Sequence, residues 1–276
     1  MKKNFFIIFA AVSFIFGTAN AANGMNEGQT DPRESFAQFE ELGKIHNAFM
    51  QNALDNFVPD DKITNKSDAI DYVLRFNFAY VDKLKLPNAE DVKKYLEDFK
   101  YFVDREYFYN KCYTSGKNNT TLFMDIDNAL KSKVIDDFEH KKLTEIAQLA
   151  KDNLDGKLSN SEMKSSLVQM KEEWIAKGYT ERTQYGSVLG STLGISLASI
   201  EWWEANPSAS GGYRALNVVG QDVAGAIVGG VVSGVVSYGT TGSVNWKAVG
   251  YSAAFGALNA SFGVVGKLGK WISNLF

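Results

Sequence analysis

The chain has 276 residues, 22% of them charged and 45% hydrophobic, a balance that excludes wholesale disorder. A net charge of -3 excludes a general nucleic-acid binder, because neutralising phosphates needs a basic surface. One cysteine, Cys112, excludes an internal disulfide framework and a multi-cysteine zinc site, and two histidines, His46 and His140, leave little material for a metal or base-catalysed centre.

Residues 1–21 have the three parts of a secretory signal. Lys2 and Lys3 form the positive end, Phe5 to Phe16 an uncharged apolar run, and Ala19-Asn20-Ala21 a small-x-small cleavage site. The apolar run, about 12 residues, falls short of the roughly 20 that a membrane span needs. Cleavage after Ala21 and secretion from a bacterial cytosol are therefore expected. A lone thiol in that setting reads as a small buried hydrophobe.

Residues 22–185 carry 23 Lys+Arg and 29 Asp+Glu and read as a charged helical domain. From Ser35 to Phe57, the positions Phe36, Phe39, Leu42, Ile45, Phe49 and Phe57 fall near a 3.6 period. Ser67 suits the N-cap of a second helix using Ile70, Val73, Tyr80 and Leu84, and Asn88 that of a third using Val92, Tyr95, Leu96, Phe99, Phe102 and Val103. A further helix uses Leu143, Ile146, Leu149 and Leu154. A turn at Asp155-Gly156 leads to one with Met163, Leu167, Met170 and Trp174 on one side. These stripes read as a core. Lys151 to Glu162 matches several positions of a calcium loop, but Lys151 stands where the ion needs a carboxylate oxygen, so a plain helix–turn–helix is expected. His46 and His140 lie on charged stretches and read as solvated or core-edge residues.

Residues 186–276 differ sharply. They hold 17 of the 24 glycines and only Arg214, Lys247, Lys267 and Lys270 against Glu201, Glu204 and Asp222. Such a segment cannot build a charged shell and must bury against the first half, another chain or lipid. Small residues recur every four positions: Gly186, Gly190, Gly194 and Ala198; then Gly225, Gly229, Ser233 and Ser237, beside Ala226, Gly230 and Gly234; then Ala248, Ser252, Gly256 and Ala260. On a helix each row lines one face. Each interior glycine costs about 1 kcal/mol relative to alanine, and close backbone approach between helices offsets that cost.

Residues 216–276 are expected to form a helical hairpin. Val223 to Tyr238 is about 24 Å long as helix and Ala248 to Gly266 about 28 Å, against a hydrocarbon layer of about 30 Å. The β-branched run VVSGVVSYGTTGSVNW also suits a β-hairpin, but the four-residue rows favour helix. Lys267, Lys270 and Trp271 have the cation and aromatic mixture of a headgroup boundary. Asp222 begins the most apolar segment, where it favours the positive helix end and offers a pH-sensitive brake on insertion. Arg182 and Arg214 are candidate processing sites beside Ala21.

A leader, a charged helical body and a glycine-spaced apolar hairpin resemble secreted bacterial pore-forming toxins, among them colicin-like toxins of Bacteroidota; the glycine rows are similar to those of two-peptide bacteriocins. The resemblance is one of architecture and carries over no catalytic position. It implies an all-α fold, an N-terminal helical bundle followed by a glycine-zipper hairpin. It also implies an antibacterial activity that permeabilises membranes, with a target-cell bilayer, a surface receptor, an activating protease, an immunity protein and a homo-oligomer as partners. No cofactor or metal is expected. A non-enzymatic envelope structural or binding protein anchored by the hairpin is the alternative. An enzyme ranks low, since no G-x-S-x-G, H-E-x-x-H or P-loop pattern occurs and acidic pairs such as Asp136-Asp137 arise by chance.

Overall fold

The computed structural model describes residues 30–84, 89–102, 119–210, 218–261 and 265–273. Among the described residues the fold is all-α, with ten α-helices and no strand. They are α1 (Pro32–Asn56), α2 (Lys66–Tyr80), α3 (Ala89–Phe102), α4 (Asn119–Lys131), α5 (Asp137–Leu154), α6 (Asn160–Ala176), α7 (Ser187–Ala205), α8 (Val219–Thr241), α9 (Trp246–Ser261) and α10 (Gly266–Ser273). The leader with Ala21, the Asn88 cap, Val103, Cys112 and Arg214 lie outside the described residues.

The body helices start where local chemistry starts them. Asp31 caps α1 by accepting the Arg33 N–H, and Pro32 occupies the first position, where a missing N–H costs nothing. Asn65, not Ser67, caps α2: its side chain accepts the Asp68 N–H at 2.9 Å, and Ser67 falls inside the first turn. Asp136 caps α5 through the Glu139 N–H, a structural use for a carboxylate of the Asp136-Asp137 pair. Ser159 and Glu162 form a reciprocal capping box on α6. Helix α4 was not anticipated; Leu122, Ile126 and Ala129 are its buried stripe. The Asp155-Gly156 turn joins α5 to α6, with Gly156 at φ 72. Asn153, in the last turn of α5, is buried, and its amide N–H groups go to the Leu158 carbonyl and to Asn160 across that turn.

The charge-poor helices occupy the centre. Helices α8 and α9 pack antiparallel as a helical hairpin, with Gly242 at φ 73 ending α8 before the short Ser243–Asn245 connection. The hairpin alternative in β form is thereby excluded. Helix α7 lies between α1 and this hairpin, α5 and α4 flank α8, α6 covers α7, and α10 rests on α1. Edge-on contacts of Phe36 and Phe39 with Trp174 join α1 to α6, and Phe49 meets Phe255 of α9 at 5.5 Å. The compositional break near residue 185 coincides with Gly186, the N-cap of α7 in a left-handed conformation at φ 103. Its Cβ would strike the Tyr179 ring, so glycine there answers both backbone and space.

Candidate functional site

The glycine rows are contact faces between backbones. A Cβ on Gly225 would run into the Gly256 carbonyl, one on Gly256 into the Gly225 carbonyl, and one on Gly229 into the Ser252 carbonyl. These contacts bring α8 and α9 backbone to backbone over the turn from Gly225 to Gly229, opposite Ser252 to Gly256. On α7, Gly194 abuts the Phe39 carbonyl and Gly190 the Phe39 ring, while Gly43 of α1 abuts the Gly194 carbonyl. The two rows of α8 are not equivalent. A Cβ on Gly230 would meet side chains alone, Val188 at 3.4 Å and Ala253 and Val249 at 3.7 and 3.8 Å, and one on Gly234 the tip of Val134.

At one end of this assembly sits a buried polar junction. Asp222, in the first turn of α8, is wholly buried. Its Oδ2 accepts hydrogen bonds from Ser199 Oγ at 2.6 Å and Trp203 Nε1 at 2.8 Å, both from α7. Its Oδ1 accepts from Ser261 Oγ at the end of α9. His46 of α1 places Nε2 3.8 Å from Oδ2. Thus one carboxyl joins three helices and faces a fourth. Burial pushes the Asp222 carboxyl up to about 7, against the lowering effect of its donors. Burial also pushes His46 down to about 4, so near neutral pH the imidazole is uncharged and gives Asp222 no cation. The expected role of Asp222 at the helix dipole is therefore overlaid by a role as acceptor for side chains. His46 is not at a solvated edge: α1 turns it inward with Phe39, Leu42, Phe49 and Ala53.

A second junction lies at the start of α7. Glu139 of α5 is wholly buried and accepts the Leu189 N–H at 3.2 Å on Oε1, with the Gly186 N–H also directed at the carboxyl. Its Oε2 has no hydrogen-bond partner. Burial, reinforced by the nearby Asp136 charge, pushes Glu139 up to about 7. Asp136 in turn accepts from the Tyr179 hydroxyl, and Trp174 Nε1 donates to the Gly186 carbonyl at 2.8 Å. Residues 177–186 are thereby pinned across the α7 N-terminus.

The remaining expected positions are spread apart. Arg182 is exposed in the tight Thr180–Thr183 turn of that connector, beside Glu181. Lys267 and Lys270 face outward on α10. Trp271 is packed inward against Phe57 and Tyr72, at 5.5 and 5.8 Å between ring centres. His140 is half-exposed and pairs with Asp127 at 2.8 Å. Among the described residues no three His, Cys, Asp or Glu side chains gather as a metal site. Glu139, Ser199, Trp203 and Ser261 were not singled out in advance, nor was His46 as a buried group. Glu139 was findable, because it shares the apolar face of α5 with Leu143, Ile146 and Ala150. Compared with protein families, with curated proteins and with solved structures, the chain matches none.

Proposed function

We propose that the chain is a secreted, antibacterial, membrane-active protein, and that its closed fold stores the α8–α9 hairpin for transfer into the bilayer of a target cell. The observation that carries this reading is a preassembled hairpin. Residues 223–246 hold no charged side chain, and Lys247 alone interrupts the apolar run that continues through 266. Helix α8 is 23 residues long with mean hydropathy 1.5 over its most apolar window, and 78% of that window is buried. Buried core helices of soluble proteins can share this length and composition. What favours transfer is that α8 and α9 meet backbone to backbone, so the pair can leave the body without losing its own interface. In lipid such small-residue faces remain a good mode of association, and the body's side chains are replaced by acyl chains.

On this reading a surface receptor brings the protein to its target, a protease cut at Arg182 or Arg214 frees the C-terminal segment, pores form as homo-oligomers, and the producer carries an immunity protein. Insertion carries Asp222 to the membrane boundary, where its charge opposes entry. The test is dye release from anionic vesicles by the purified protein, intact and trypsin-nicked, at pH 8. Release is expected in at least one form, and faster for Asp222→Asn than for the parent. No release from either form overturns the reading; equal rates remove Asp222 as the brake.

A further inference from the structure

We propose that Glu139 is a proton-dependent latch on the start of α7, held neutral in the closed fold in acid and releasing its proton on opening, so that a rise in pH from acid to neutral loosens the 177–186 connector and the grip of the body on α7. That such loosening would also free the hairpin packed on the other side of α7 rests on the function proposed above; the latch itself does not.

The geometry makes the case. Glu139 stands where α5, the connector and α7 meet, with no accessible surface. Its Oε1 accepts the Leu189 N–H, with the Gly186 and Asp136 N–H groups also directed at the carboxyl, while Oε2 is without a hydrogen-bond partner, the place a proton would occupy. A buried carboxylate is tolerated when a cation or several donors compensate it. Here the surroundings are adverse. From the turn before α5 comes Asp136, whose carboxylate is a like charge that outweighs the donation of its backbone N–H. From the connector come Tyr179, whose hydroxyl is committed to Asp136, and Tyr185 farther off. From α7 come backbone N–H groups alone. From α4, Asp127 is engaged by His140. The neighbouring lysines are occupied elsewhere: Lys142 by Glu145 and Glu173, Lys171 by Glu40, and Lys177 over the Phe138 ring. The one carboxyl of α8, Asp222, lies toward the far end of α5, where Gly220 abuts the Ala150 carbonyl.

The sign follows from proton counting. Burial raises Glu139 to about 7, whereas an opened segment returns it to the ordinary carboxylate range near 4.5. Between those values the closed form holds a proton that the opened form releases. Opening therefore grows more favourable as pH rises, about tenfold per pH unit, and levels off above about pH 7. Acid keeps this latch shut.

The experiment compares the purified protein with Glu139→Gln, without lipid, by urea unfolding between pH 5 and 8. All other titrating groups, Asp222 and His46 included, cancel in the ratio of the two unfolding constants. That ratio is expected to rise about tenfold per pH unit from 5 to 7 in the direction of a less stable parent. A ratio independent of pH overturns the proposal. Trypsin cleavage after Arg182 locates the opening: its rate in the parent relative to Glu139→Gln should rise over the same range, and a constant rate ratio overturns the assignment to the α7 start. If Glu139→Gln does not fold, Asp136→Asn decides. Removing that charge lowers Glu139, so the variant's loss of stability must level off at a lower pH than the parent's, and an unmoved profile overturns the latch. Because no membrane is present, these outcomes are independent of whether vesicles leak.

Discussion

Helices α5 and α6 hold themselves together differently from α7 and α8. The first pair begins with side-chain caps, Asp136 and the Ser159–Glu162 box, and is tied together by ions, Lys142 of α5 pairing with Glu145 and with Glu173 of α6. The second pair begins at Gly186 and Val218 with no side-chain cap. Its N-terminal donors and polar groups are satisfied from elsewhere: Glu139 reaches into α7, Asn153 accepts the Gly220 N–H of α8 at 3.0 Å, and Asp222 gathers Ser199, Trp203 and Ser261. The body helices carry their own boundaries; the central ones borrow theirs. Local sequence therefore stabilises the first region, and tertiary enclosure stabilises the second.

The contrast breaks most severely at the hairpin seam. Gly229→Ala places a methyl in the Ser252 carbonyl, and backbone on both helices has to move. A loss of about 4 kcal/mol or more is expected, as for other strongly overpacked positions. Gly230→Ala, one residue on, meets side chains alone, none nearer than Val188 at 3.4 Å, and gains helix propensity. It should stay within about 1 kcal/mol of the parent. Urea unfolding of both variants measures the difference; similar losses at the two positions would dissolve the claim that one row is a backbone contact and the other is not.

The next effect is at Asp222. Alanine there leaves Ser199, Trp203 and Ser261 without their acceptor, and a loss of about 2–3 kcal/mol is expected. Asparagine keeps an acceptor and should cost less. Since burial raises Asp222 to about 7, the proton it keeps in the folded state stabilises the fold fully below the ordinary range near 3.8. That contribution is lost as pH rises through about 7. The parent should thus weaken toward pH 8 relative to Asp222→Asn, and parallel pH profiles in urea unfolding would refute a buried carboxyl that no cation faces.

Much of the body was legible because its signals are local. The 3.6 periods of Phe36 to Phe57 and of Met163 to Trp174 fix α1 and α6 nearly to their ends. Cap choice was less legible: Asn65 and Ser67 are both good caps, and only backbone geometry selects Asn65. The glycine rows announced close packing but not the partner of each row, since α7 pairs with α1 through Phe39 while α8 pairs with α9. The two junctions were the least legible. His46 and Glu139 sit among charged neighbours in sequence, and their burial is decided by which face α1 and α5 turn toward the glycine helices. Trp271 shows the converse, an aromatic suited to a headgroup boundary that finds Phe57 and Tyr72 instead.

The smallest effect tests the self-sufficient side of the comparison. Ser159→Ala removes the side chain that accepts the Glu162 N–H and breaks the reciprocal bond from the Ser159 N–H to Glu162 only indirectly. A loss of about 1 kcal/mol is expected, typical of a helix N-cap. Because Glu162 is held below the usual carboxylate range by the Ser159 hydroxyl and N–H, part of that contribution disappears as Glu162 is protonated in acid. The loss should be confined to α6, so hydrogen exchange should accelerate in the first turn after Ser159 and stay unchanged in α8 and α9. Acceleration reaching the hairpin would mean that the outer helices do not stand on their own caps, and that the division between self-bounded and borrowed ends is not a property of this fold.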